Sequence, residues 1–190
     1  SGGEDVLVGG EGTDSVLIFK PAAESEIGRD PITNDWVVTG ASGSDTLSDV
    51  ERVLFEDSSI ALDVGKNQAG GQAALILGAL LGPDSLDNPA YVGTVINLLD
   101  SGMSIEEVAR AGIERLGLTS NDALVTQLWT NIFGTAPTES EKEYGLKLLD
   151  DGMSPEELIM FAANSDTNQL SIDLVGISQN GLPYTIDGLG

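Results

Sequence analysis

The sequence contains no cysteine and no histidine. Without cysteine there is no disulfide, no thiolate nucleophile and no sulfur ligand for zinc. Without histidine the usual neutral-pH general base and the commonest metal ligand are missing as well. Ser-His-Asp and Cys-His catalysis are excluded, and most familiar hydrolase mechanisms go with them. Basic residues are scarce, 8 Lys and Arg against 31 Asp and Glu, which gives a formal net charge of −23. A chain this acidic cannot hold nucleic acid or an anionic membrane by charge. Aromatic residues are only 5% of the 190 positions while 41% are hydrophobic, so a core exists but is built mostly from aliphatics, and the chain is no disordered acidic tail. The longest apolar run, Ala73 to Leu81, covers nine residues, under half of the roughly 20 that a membrane-spanning helix needs. The length suits one domain or two small ones. Ser1 is followed by no basic stretch and no apolar leader, so the sequence reads as part of something longer. P-loop, Rossmann glycine and Ser-x-x-Lys patterns are absent.

Two grammars divide what is present. Residues 1–66 read as strand and turn: Val6 to Val8, Val16 to Phe19, Trp36 to Thr39, Arg52 to Phe55 and Ile60 to Val64 are short β-prone runs separated by Gly, Ser, Asp and Pro. Residues 67–190 read as helical, with the joint near Lys66 to Gly71. Ser104 precedes Glu107, Thr138 precedes Glu141 and Ser154 precedes Glu157, each at the spacing of a capping box. Helix starts follow at about 104, 120, 138 and 154, with others near 68 and 89. The segment Leu98 to Val108 recurs as Leu148 to Leu158, fifty residues on, with eight of eleven positions identical. Each copy encodes a helix ending in Leu-Leu, a left-handed Gly and a Ser cap for the next helix. The helical part is expected to be a duplicated bundle, with repeats over about 74–117 and 124–167 and a C-terminal tail.

Residues 9–17 read Gly-Gly-Glu-Gly-Thr-Asp-Ser-Val-Leu. Gly3, Asp5 and Leu7 hold the same phase nine residues earlier. A degenerate third copy runs from Gly40 through Gly43 and Asp45 to Ser48, with Ala41 where the second Gly would be. Calcium takes six to eight oxygens at about 2.3–2.6 Å, and a tightly coiled glycine-rich chain can offer main-chain carbonyls with Asp as the anionic ligand. The plain alternative is ordinary turns, which Asp and Gly also favour without metal.

This pattern resembles the calcium-binding nonapeptide G-G-x-G-x-D-x-U-x of RTX proteins. Residues 47–63, with Val50-Glu51-Arg52 ahead of Phe55 and Asp57, are similar to the strand that closes RTX blocks. The helical part resembles a domain of unknown function found at the carboxyl end of RTX exoproteins, S-layer-like proteins and secreted hydrolases. The resemblance implies an α+β fold, a short calcium-binding parallel β-roll over 1–66 followed by a duplicated all-α bundle over 67–190. It implies Ca2+ as cofactor, with Gly3, Asp5, Gly10, Gly12, Asp14, Gly40, Gly43 and Asp45 as metal-site residues. Asp5 and Asp14 are then expected on opposite sides, with stacking partners upstream or near Asp45. Because Asp14 and Asp45 are 31 residues apart, which is no multiple of nine, the insertion Lys20 to Asp35 should interrupt the roll and limit it to one to three ions. Further implications are an extracellular or cell-surface location, the type I secretion machinery as a partner, and cell-surface polysaccharide or S-layer neighbours.

Other constellations read as structural. Asn164, Asp166 and Asn168 alternate like the start of an EF-hand loop, but Gln169 and Val175 stand where Gly and Glu belong. Glu106 with Glu107 and Asp150 with Asp151 are helical neighbours that do not converge. Trp129, Phe133, Met160 and Phe161 have core-like helical spacing. No catalytic residue is identified. Two classes of function follow: a non-catalytic calcium-folded carboxyl-terminal module, or an accessory substrate-binding or regulatory part of a secreted enzyme. The acidic, aliphatic segment from Leu170 to Leu182 reads either as an uncleaved export signal or as a last element docked on the bundle.

Overall fold

The computed structural model describes residues 3–41 and 43–185. Among them the short β-prone runs form strands β1 (Val6–Val8), β2 (Ser15–Leu17), β4 (Trp36–Gly40), β6 (Arg52–Leu54) and β7 (Ser59–Ala61), joined by β3 (Ser25–Arg29), β5 (Gly43–Ser48) and β8 (Leu182–Tyr184). They make two four-stranded sheets, ordered β1-β5-β4-β3 and β2-β6-β7-β8. The helices are α1 (Ala69–Leu81), α2 (Pro89–Asp100), α3 (Ile105–Leu116), α4 (Asn121–Phe133), α5 (Glu139–Asp150), α6 (Pro155–Ala163), α7 (Asp166–Ser171) and α8 (Leu174–Asn180).

The expected parallel β-roll followed by a separate helical bundle is not what forms. Both sheets are mixed. Only β1 with β5 and β2 with β6 run parallel, and every other pair is antiparallel. Strand and helix are also interleaved, because β8 follows the last helix and returns to pair with β7. The reason lies in the insertion. Residues 20–35 do not loop out; Ser25–Arg29 pairs antiparallel with β4, and β4 turns back through Gly40 and Gly43 into β5. Val6 therefore faces Thr46, and Ser15 faces Arg52, separations that no repeating nine-residue coil would give.

The helical expectations hold locally. Ser104, Thr138 and Ser154 each accept from the third amide of the helix they start, and Glu107, Glu141 and Glu157 each reach back to the cap residue's own N–H. At both repeated junctions the chain closes by the same pair of bonds. Gly102 N–H donates to the Leu99 carbonyl at 2.9 Å and Met103 N–H to Leu98 at 3.2 Å; Gly152 donates to Leu149 at 3.1 Å and Met153 to Leu148 at 3.1 Å. Both glycines have positive φ, +93° and +106°, the left-handed stop that a side chain would oppose. Ser154→Ala is expected to lower stability by about 1 kcal/mol, a fall of about 2–4 °C in Tm for a chain of this size by calorimetry. No change would mean that the cap adds nothing here.

The apolar run of the sequence becomes α1, buried from Gly70 to Gly71 and from Ala73 to Leu80. A helix apolar all round belongs at the centre of a packed protein, and α1 touches α2, α4, α6 and α7. No helix among the described residues is long and apolar enough to cross a membrane. One continuous cluster of buried side chains runs from Trp36 and Val38 in the sheets through α1 to Ile159 in α6. Of the large apolar side chains with core-like spacing, Trp129 and Met160 are half-buried, whereas Phe133 and Phe161 are exposed.

Candidate functional site

The two parallel strand pairs bring the two glycine-rich turns against later parts of the chain. Asp5, just before β1, donates its N–H to Asp45 Oδ1 at 3.1 Å, and its carbonyl accepts from Thr46 N–H at 2.8 Å. Asp14, just before β2, repeats the arrangement with different residues. Its N–H donates to Glu51 Oε2 at 2.8 Å, and its carbonyl accepts from Glu51 N–H at 3.1 Å and Arg52 N–H at 3.0 Å. Each aspartate is thus pinned through its main chain.

The turn between β1 and β2 holds Gly10 and Gly12 at φ +110° and +114°, conformations that only glycine adopts without strain. Gly9 N–H donates to the Ser48 carbonyl at 3.0 Å and Gly10 N–H to the Asp49 carbonyl at 3.2 Å. A Cβ at Gly9 would collide with the Asp49 carbonyl oxygen and crowd Cβ of Asp14. Asp49 itself sits at φ +50°, a left-handed conformation that Asp tolerates better than most residues. Within this cradle Asp14 Oδ2 is buried and has no hydrogen-bond partner. A carboxylate oxygen removed from water and left unmatched is costly unless a donor or a cation meets it.

Of the residues that sequence marked, Gly10, Gly12 and Asp14 share this one turn. Gly40 and Gly43 close the β4–β5 hairpin. Asp45 lies inside β5 opposite Val38, so the third nonapeptide copy is a strand at its Asp rather than a loop. Gly3 lies beside it, because a Cβ on Gly43 would strike the Gly3 carbonyl. Sequence did not single out Glu51, Gly9 or Asp49 as site residues. Glu51 was visible only as part of a closing strand, and its approach to Asp14 comes from β2–β6 pairing that has no nine-residue signature. Among the described residues, no three acidic side chains gather into a group that could hold a metal by side chains alone. A cation here would need main-chain carbonyls beside one or two carboxylates, which is a donor set calcium accepts.

Elsewhere, two buried polar side chains are engaged structurally. Asn168 is fully buried, and its side-chain amide donates to the Leu75 carbonyl at 3.0 Å and the Ala163 carbonyl at 2.8 Å, tying α7 to α1. Arg52, only 3% exposed, pairs with Asp63 and also reaches Asp100 at 2.8 Å, at the end of α2. Burial pushes the Asp63 carboxyl up against the pull of Arg52, while the two carboxylates together hold the Arg52 guanidinium charged. This cluster joins the second sheet to the helices one residue away from Glu51. No family model matches the chain, and no curated protein and no solved structure does so either.

Proposed function

We propose that this chain is a non-catalytic module whose β portion binds calcium, and that it belongs to an exported or cell-surface protein that matures in calcium outside the cell. The observation that carries the reading is Asp14 Oδ2, a buried carboxylate oxygen without a partner, in a glycine cradle beside the Asp49 carbonyl. The residues that would hold the ion are Asp14 and Glu51 by side chain and Asp49 by its carbonyl, with Asp5 and Asp45 as a second pair. Charge supports the same reading. Residues 1–66 carry 14 acids against four bases, so self-repulsion opposes compaction until a cation offsets it. Weak calcium inside a cell would leave such turns loose during export, and external calcium would order them.

Calcium titrated into chelator-treated protein should raise Tm by mass action. A concentration about a hundredfold above Kd corresponds to about 2.7 kcal/mol, or roughly 5–10 °C. Asp14→Asn should remove most of this rise, and Asp166→Asn, on α7, should leave it intact. Equal melting temperatures in chelator and in millimolar calcium would end the proposal. The same samples should show no hydrolase turnover with or without calcium.

A further inference from the structure

Helices α4, α5 and α6 enclose a groove of about 170 Å³. Val125, Leu128, Ile132 and Leu158 are among the side chains of its floor, and Trp129, Phe133, Tyr144 and Phe161 stand around it. The chain has only 4 Phe, 3 Tyr and 2 Trp, so four of its nine aromatic residues are spent on this one place. Phe133, Tyr144 and Phe161 are 47%, 58% and 55% exposed. Trp129 stacks on Phe133 with centroids 4.2 Å apart. A chain poor in aromatics that leaves three of them half in water on one groove presents an anchor site.

Size and charge narrow what fits. Small-molecule sites run to about 300–1,000 Å³, and a cavity of about 150 Å³ admits one benzene-sized ring. The groove therefore takes a single aromatic or branched side chain, and its nearly all-apolar lining offers too few polar partners for a sugar. Helices α4 to α6 span eight acids and two bases. Both bases are already committed, Lys142 to Asp122 at 3.1 Å and Lys147 to Asp151 at 2.6 Å, and Arg110 of α3 pairs with Glu156 at 2.8 Å, so five of the eight acids lie outside these three pairs. Glu141 lines the groove itself, and hydrogen bonds from the Thr138 main chain and side chain hold its carboxyl below the usual range, so it is ionised at neutral pH. A second, shallower depression of about 490 Å³ shares Ile132 and Phe133 with the groove and adds Asp84. An elongated ligand can therefore anchor in the one and continue over the other. A second copy of this chain would bring another −23 charge to an acidic face, and like charges facing each other across an interface oppose association.

We infer that the groove between α4, α5 and α6 docks a basic amphipathic helix of a partner protein, with one apolar side chain in the groove and Lys or Arg over the surrounding acids. Helices with one apolar face bind grooves of this kind through a few spaced anchors, and complementary charge sets their choice of partner.

The probe is a fluorescent 14-residue helix of Leu and Lys, titrated by anisotropy into the full chain in calcium. The same peptide with Glu for Lys and an all-Lys peptide serve as controls. Binding should be seen only with the Leu/Lys peptide, should weaken with added salt, and should fall by about tenfold or more in Tyr144→Ser and Phe161→Ser. Both positions are more than half exposed, and circular dichroism checks that each variant is folded. Equal affinity of these variants, equal binding of the Glu peptide, or no binding at millimolar peptide would overturn the inference. Self-association of the chain that Phe161→Ser abolishes would overturn it in favour of a second copy.

Discussion

Arg52→Met is expected to cost about 3–5 kcal/mol. The substitution keeps volume but leaves Asp63, 7% exposed, as an uncompensated buried charge, and removing one partner of a buried ion pair typically costs that much. For a chain of this size the loss corresponds to a fall of about 6–20 °C in Tm. Asp100→Asn should cost less, because Asp100 is 29% exposed and water can take over part of its role. The pH dependence has a definite sign. Burial already raises the Asp63 carboxyl, and without Arg52 only the hydrogen bond from the Gly70 main chain still opposes that rise. A carboxyl whose folded pKa lies above its unfolded value favours the folded state as pH falls through that folded pKa. The deficit of Arg52→Met relative to the parent should therefore shrink as the pH is lowered. The double variant Arg52→Met, Asp63→Asn should recover part of the loss, which a double-mutant cycle by urea unfolding measures. A cost under about 1 kcal/mol would show that the cluster is not a buried pair in solution.

Arg52 also explains how a change in the turn would reach the helices. Its main-chain N–H donates to the Asp14 carbonyl and its side chain holds Asp100 on α2. An ion that fixes Asp14 thereby fixes the strand that carries Arg52. Far-UV circular dichroism of the helices should then sharpen its thermal transition with calcium, together with the sheet signal.

Local rules were legible in the sequence where the chain's own neighbours decide the outcome. Ser104, Thr138 and Ser154 announce helix starts because the capping partner is three residues away. Gly102 and Gly152 announce stops because a left-handed residue closes its own helix. The strands at 6–8 and 36–40 follow from Val-rich runs. What failed depends on pairing over long separations. Ser25–Arg29 has a single large apolar side chain, Ile27, and becomes a strand because β4 offers it an edge. Gly43–Ser48 matched a loop pattern, yet pairing with both β1 and β4 turned it into a strand in its sheet. The nonapeptide grammar located Asp14 and its glycines, while Glu51 enters through β2–β6 pairing, which no local period encodes. Phe133 and Phe161 had helical core spacing, but spacing gives a face and not what lies against it.

Deleting residues 182–190 is expected to destabilise the fold by about 5 kcal/mol or more. β8 covers the open edge of β7, with Leu182 facing Ala61 and Tyr184 facing Ser59, and Leu182 and Tyr184 are each 2% exposed. Thr185 N–H adds a bond of 3.0 Å to the Pro89 carbonyl at the start of α2. Losing two fully buried side chains costs about 1.5–3 kcal/mol each by transfer alone, and more once the cavity is counted. A total of about 5 kcal/mol or more stands against typical stabilities of about 5–15 kcal/mol, so calorimetry should show a Tm lower by at least about 10 °C or no cooperative transition. The segment from Leu170 to Leu182, expected either as an export signal or as a docked element, is docked in part: Ile172 and Leu182 are buried while Leu170 is exposed. The last five residues of the tail, 186–190, lie outside the described residues. Loss of export after tail deletion would therefore confound a missing signal with a collapsed fold. Tyr184→Ala separates the two, because it removes packing worth about 3–5 kcal/mol and leaves the acidic, aliphatic tail intact. If the tail is read by an export machine that takes unfolded chains, Tyr184→Ala in the parent protein should reach the culture supernatant as well as the parent does, with a lower Tm after export. Retention of Tyr184→Ala inside the cell, alongside retention of the deletion, would show that the segment matters for folding and not as a signal.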